Sequence, residues 1–226
     1  MLLAVIFDFD GTLADTIPAI TEGVNLTMQK YGFPTHSETE IRSFINNGPR
    51  MLIRRALPKD KQTDEALLDA VLADYDTLYK TVCHHTDRAY DGVFELIETL
   101  RKKGLRIGVL SNKQDHLLRE ICTGIFPTEC DAILGTVPGK PTKPDPYLSH
   151  KIAQMLGVSP DACLMVGDSD VDIRTANNAG MTHIGVSWGY RDESFLLQNG
   201  AKLVASTPDE LLSMIENLLS ERIPKP

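Results

Sequence analysis

The chain has 226 residues, 42% of them hydrophobic and 24% charged, with a formal net charge of −8. That length suits one large domain or a domain with an insertion, and the composition excludes a disordered or fibrous chain. So acidic a chain is a poor match to nucleic acid, which demands clustered Lys and Arg.

The opening apolar run is too short to span a membrane and has no basic residues ahead of it. It reads as a buried strand over Leu2–Phe9 rather than a leader. From about Ile17 to Cys83 the pattern is helical. Ser37 with Glu40 makes a capping box. Leu67, Leu68, Val71, Leu72, Tyr75, Leu78, Tyr79 and Val82 keep the spacing of one helical face. Roughly 65 residues is too long for a single crossover, so an inserted helical subdomain is predicted. Cys83-His84-His85 has no second cluster of matching spacing for a metal site and reads as a linker.

Beyond it, Val93, Leu96, Ile97 and Leu100 predict a helix stopped by Gly104. Near-continuous apolar runs at Arg106–Leu110, Ala132–Leu134, Cys163–Val166, His183–Val186 and Lys202–Val204 predict strands of a parallel sheet covered on both faces. Helices are expected at Tyr147–Leu156 and along the Leu211, Leu212, Ile215, Leu218, Leu219 stripe. Ile223-Pro224-Lys225-Pro226 reads as a loose tail. The fold class is therefore α/β, with a Rossmann-like parallel sheet core (residues 1–14 and 84–226) and a helical insertion at 15–83. Cys83, Cys122, Cys130 and Cys163 form no C-x-x-C pair and read as reduced thiols of a cytoplasmic protein.

The apolar runs end in polar residues: Asp8-Phe9-Asp10-Gly11-Thr12, then Ser111-Asn112-Lys113, then Gly167-Asp168-Ser169-Asp170 with Asp172. Lys143-Pro144-Asp145-Pro146 precedes a helix. Ligands bind beyond the carboxyl ends of such strands, so these side chains should converge. Asp8, Asp10, Asp168 and Asp172 would crowd together, as around a hard cation such as Mg²⁺. Lys143 and Lys113 add positive charge, and helix starts near Asn112 and Ser169 add N–H groups for an anion. Together they describe a phosphate pocket beside a carboxylate able to form an aspartyl phosphate. Ser111 should double as a helix N-cap. Asp170 reads as exposed and Trp188 as packing. Gly135 to Lys140 falls one residue short of a P-loop and carries Pro141 where Ser or Thr is required.

These motifs, in this order, resemble the haloacid dehalogenase superfamily of phosphatases over almost the whole chain. The resemblance implies a helical cap inserted after the first motif, at 15–83. It implies Asp8 as nucleophile and metal ligand, and Asp10 as acid and base with its carbonyl on the metal. Ser111, with the backbone beside Asn112, would hold phosphate, as would Gly11 and Thr12. Lys143 would neutralise charge, Asp168 would complete the Mg²⁺ site, and Asp172 would support it. Asn47-Gly48, Lys143-Pro144-Asp145-Pro146 and Val186-Ser187-Trp188-Gly189-Tyr190-Arg191 look most like the phosphoglycolate phosphatases. Sugar-phosphate phosphatases, phosphomutases and pyrophosphatases of the superfamily share much of this. A receiver-like phospho-acceptor domain is the non-enzymatic alternative, but it has no acid two residues after its aspartate. The expected partner is a small phosphate ester, with no nucleic acid or membrane, and the chain is expected as a monomer or homodimer.

Selectivity is expected from the insertion. The turn Asn46-Asn47-Gly48-Pro49-Arg50 offers a tight loop and free N–H groups, and Arg50 or Arg54 could pair with a substrate carboxylate.

Overall fold

The computed structural model describes residues 2–45, 47–86 and 88–220. Asn46 of the predicted turn, the side chains of residues 84–86 and the expected tail at 223–226 lie outside the described residues. The chain divides into two compact units, one of Met1–Ala14 with Ala89–Pro226 and one of Asp15–Arg88.

The Asp15–Arg88 unit is helical: α1 (Ile17–Lys30), α2 (Glu38–Phe44), α3 (Gly48–Ala56) and α4 (Glu65–Thr86). α2 starts at the predicted capping box, with Ser37 and Glu40 each bonded to the other's backbone. The predicted stripe lies on α4, where Leu68, Val71, Tyr75, Tyr79 and Val82 are buried. Two expectations fail here. The stripe continues onto buried Cys83, so Cys83-His84-His85 forms the last turns of α4 and not a linker. Gly48, Pro49 and Arg50 already belong to the first turn of α3, because proline near a helix start lacks only an N–H that has no partner there anyway.

The other unit holds a parallel sheet. Its strands are β1 (Ala4–Phe7), β4 (Arg106–Gln114), β5 (Ala132–Thr136), β6 (Cys163–Gly167), β7 (Thr182–Val186) and β8 (Val204–Ala205). The two-residue strands β2 (Ala14–Asp15) and β3 (Arg88–Ala89) pair separately. The sheet order is β5-β4-β1-β6-β7-β8. Alternate residues of β1 face opposite sides of the sheet, yet Ala4, Val5, Ile6 and Phe7 are all buried. Both faces are therefore covered, which is why this strand reads as a continuous apolar run.

The covering helices are α5 (Val93–Lys102), α6 (Asp115–Ile125), α7 (Tyr147–Met155), α8 (Asp170–Ala179), α9 (Glu193–Gln198) and α10 (Pro208–Ser220). On one face Leu148, Ile152 and Ala176 pack with Ala4, Ile6 and Met165. α6 begins at Asp115, three residues after the expected start, and its N-cap is Gln114 and not Ser111. Residues 111–114 stay extended because the strand resumes pairing after an irregularity, with Gln114 opposite Thr136.

Candidate active site

β1 lies between β4 and β6 in the sheet, with Phe7 level with both Val109 and Val166. Asp8 therefore emerges at the strand ends flanked by the loops after β4 and β6, the place where open parallel sheets bind ligands. The Asp8 N–H donates to Val166 O at 2.8 Å, which extends the ladder by one residue and fixes the side chain. Its Oδ1 accepts twice, from Phe9 N–H at 2.7 Å and from Lys143 Nζ at 2.9 Å. No described residue donates to Oδ2.

The Lys143 side chain is only 2% exposed and also donates to Asp172 Oδ1 at 2.7 Å and to Leu110 O at 3.1 Å. Burial pulls its ammonium toward neutrality, but Asp172 and Asp8 outweigh burial and hold it charged. Asp172 is fixed from its other oxygen. Oδ2 accepts from Ser169 Oγ at 2.5 Å and from Ser169 N–H at 3.2 Å, forming the capping box of α8. A Cβ at Gly167 would overlap the Asp172 carboxyl, so the strand end must be glycine for this turn to fold back on it.

Asp168 is buried. Its Oδ2 accepts from Tyr190 N–H at 2.7 Å and its Oδ1 from Thr12 Oγ1 at 3.4 Å. A Cβ at Gly189 would collide with Gly11 O and lie 2.7 Å from Asp168 Oδ2. Burial and then Asp172 and Asp8 raise the Asp168 carboxyl well above the usual range. Burial, followed by Asp172, pushes Asp8 up to about 7 against the pull of Lys143.

Asp8, Asp168 and Asp172 each offer a carboxylate oxygen within 4.8 Å of the others. Three buried carboxylates share one buried ammonium, and that surplus of negative charge, borne on hard oxygen donors, fits a divalent cation. The Asp10 side chain stands outside this trio, whose third member is Asp172. Asp10 instead turns to β4: Oδ1 accepts from Lys113 Nζ at 2.9 Å and Oδ2 from Ser111 Oγ at 3.3 Å.

Several expected phosphate contacts have other partners. The Gly11 N–H donates to Ala14 O at 2.9 Å and the Thr12 N–H to Phe9 O at 3.3 Å. The loop thus closes on its own donors, and the Thr12 hydroxyl is spent on Asp168. Asn112 donates from Nδ2 to Lys143 O at 3.0 Å and accepts at Oδ1 from Lys143 N–H at 2.9 Å. Asp170 pairs with Arg174 at 2.6 Å. Trp188 Nε1 donates to Thr12 O at 3.0 Å, tying the segment after β7 to the first loop. The Asn112 clasp, the Lys113–Asp10 pair and the Tyr190 bond were all missed in the sequence. Only Lys113, three residues beyond the apolar run, left a trace there, as a nearby charge.

In the helical unit Asn47 Oδ1 accepts from Arg55 Nη2 at 2.8 Å. Arg50 pairs with Glu65 at 2.6 Å and with Asp69 at 2.5 Å. Arg54 pairs with Glu65 at 2.8 Å and donates to Gln62 O at 2.7 Å. Both guanidiniums proposed as carboxylate readers are thus already engaged within their own unit.

A family model for haloacid dehalogenase-like hydrolases matches residues 5–186. A phosphoglycolate phosphatase of Nitrosococcus oceani is 32% identical over 225 residues, covering 96% of this chain and 96% of the relative. One of Pseudomonas putida is 32% identical over 224 residues, covering 95% and 78%. The crystal structure of a Lactobacillus delbrueckii subsp. bulgaricus protein, provisionally named phosphoglycolate phosphatase, superposes with a TM-score of 0.88. It is 28% identical and covers 94% of this chain and 97% of its own. No described helix is long and apolar enough to cross a membrane.

Proposed function

We propose that this chain, a phosphatase that belongs to the haloacid dehalogenase-like hydrolase family, hydrolyses a small phosphate monoester through a phosphorylated Asp8. 2-Phosphoglycolate is the favoured ester, because the relatives matched over nearly the whole chain carry that substrate in their names. The observation that carries the mechanism is the asymmetry of Asp8: Oδ1 takes both hydrogen bonds, and no described residue donates to Oδ2. An acceptor-only oxygen with no donor on it, rigidly placed at a strand end, is a nucleophile in position.

Asp8 Oδ2 attacks phosphorus as the bond from phosphorus to the ester oxygen breaks in line. Asp10 gives its proton to the leaving alkoxide and then takes one from the water that attacks the acyl phosphate. That attack frees the Asp8 carboxylate and inorganic phosphate. Lys143, whose three N–H groups are taken by Asp8, Asp172 and Leu110, acts on the transferring group through its charge, and Ser111 lies beside Asp10 at the same strand ends. Asp8 and Asp168 would hold the cation, with Asp172 behind them, and few hard ligands favour Mg²⁺, which when bound neutralises phosphoryl charge.

The test is to combine Asp10→Asn with an aryl phosphate, whose good leaving group needs no acid. Phosphorylated Asp8 should then accumulate and be found by mass spectrometry of the acid-quenched protein. Turnover of 2-phosphoglycolate by the wild type should yield glycolate and phosphate. Absence of any phosphoryl group on Asp8 under those conditions would remove the covalent mechanism. Failure on 2-phosphoglycolate with success on other esters would remove only the substrate assignment.

A further inference from the structure

Lys113 is nearly buried, its side chain 8% exposed, and its ammonium lies 2.9 Å from Asp10 Oδ1, on a side chain that is 20% exposed. An exposed lysine pair of this kind is common and contributes little. A lysine withdrawn from water is different, because the charge must be compensated where it sits. The backbone that delivers it is fixed at both ends of the residue. Lys113 N–H donates to Ser111 Oγ at 3.2 Å, and Lys113 O accepts from Thr136 Oγ1 at 3.3 Å. The Gly135 backbone passes close beside that carbonyl, where a Cβ would lie 2.6 Å from Lys113 O. The neighbour on the chain, Asn112, is clasped to Lys143.

We propose that Lys113 is a positioning residue for Asp10. It holds one carboxylate oxygen from the end of β4 while Ser111 meets the other, and so fixes the angle at which Asp10 addresses the ester oxygen and the attacking water. This inference rests on the acid–base reading of Asp10 given above. It assigns a function to the lysine of the Ser111-Asn112-Lys113 segment that is separate from holding phosphate. Acid–base catalysis depends on a hydrogen-bond reach and angle that a free aspartate samples only part of the time. A clamp on Oδ1 therefore acts on kcat rather than on substrate affinity.

The experiment compares Lys113→Met, which keeps the stem and removes the charge, with Lys113→Arg, Asp10→Asn and the double variant. Thermal melts accompany every kinetic measurement. Lys113→Met should lower kcat on an alkyl phosphate by about tenfold or more, within the range that acid–base catalysis supplies. KM should change by less than about twofold, an affinity change well under 1 kcal/mol. Lys113→Arg should recover part of the loss. In the Asp10→Asn background Lys113→Met should cost nothing further, because a residue acting through Asp10 has nothing left to act on.

A rise in KM with kcat intact would overturn the inference and make Lys113 a substrate ligand. Losses that multiply in the double variant, or wild-type kcat in Lys113→Met, would overturn it as well. If Asp10→Asn itself retained wild-type kcat, the acid–base reading would fail instead, whatever Lys113 did. Should Lys113→Met melt early, Lys113→Gln and the Arg variant still decide the question through the same kcat comparison.

Discussion

The side-chain amide of Asn112 grips the backbone of Lys143 on both sides, accepting from its N–H at 2.9 Å and donating to its carbonyl at 3.0 Å. Two segments 31 residues apart are joined by one side chain, and the ammonium that reaches Asp8 and Asp172 is carried on the gripped residue. Asn112→Ala should therefore lower kcat together with stability. Two hydrogen bonds, each contributing about 0.5–1.5 kcal/mol, set the scale of the stability loss. Urea melts and steady-state kinetics check both, and a stability loss with kcat untouched would separate Asn112 from the chemistry.

The acid cluster makes stability depend on metal and pH together. The folded Asp8 carboxyl sits at about 7 and its ordinary value is 3.8. Between those values the folded protein keeps a proton that the unfolded chain has released. Stability without metal therefore falls as pH rises through that window, and the full cost is felt above it. A cation on the site removes the cost. Mg²⁺ should raise the Tm relative to EDTA more at pH 8 than at pH 5, and Asp8→Asn, which abolishes turnover, should shrink the difference. An equal Mg²⁺ shift at both pH values would count against a cation held by these carboxylates.

Gly167→Ala places a methyl group where the Asp172 carboxyl lies. Overpacking of this kind costs about 1–3 kcal/mol. Here the displaced atoms include the partner of Lys143, so activity should fall further than the melt alone explains. A variant with normal kcat and a normal Tm would mean that the first turn of α8 shifts without consequence.

Arg50→Ala tests whether the helical unit reads a substrate carboxylate. Such a carboxylate would have to displace Glu65 and Asp69 from the guanidinium. The pairs are exposed, so their loss should change stability by at most about 1 kcal/mol. KM for 2-phosphoglycolate should rise by less than about threefold, well below the effect of losing a direct ion pair. A tenfold or greater rise confined to 2-phosphoglycolate would restore Arg50 as the reader.

What could be read in the sequence follows the physics of each element. β1 was legible because a strand buried on both faces must be apolar throughout, and the aspartates that end it stand out against that run. The box at Ser37 and Glu40 was legible because both partners lie within one turn. The start of α6 was misplaced because Ser111 to Gln114 hold an extended shape through pairing with β5, 20 or more residues away in the chain. Gly11 and Thr12 looked like phosphate donors, but their N–H groups are taken up inside the turn that Asp10-Gly11, a common turn dipeptide, opens. The Asp10–Lys113 and Asn112–Lys143 contacts join residues whose nearness exists only after the sheet has formed.

The capping box of α8 has one consequence for measurement. Asp172 fastens the amide of Ser169 with one oxygen and the Lys143 ammonium with the other. The opening of a helix and the charge state of a catalytic pocket therefore share a single carboxylate. Whatever loosens Lys143 should release a backbone hydrogen at residue 169 for deuterium to replace. Exchange at that one amide gives a gauge of the pocket's electrostatics, readable when no turnover is taking place.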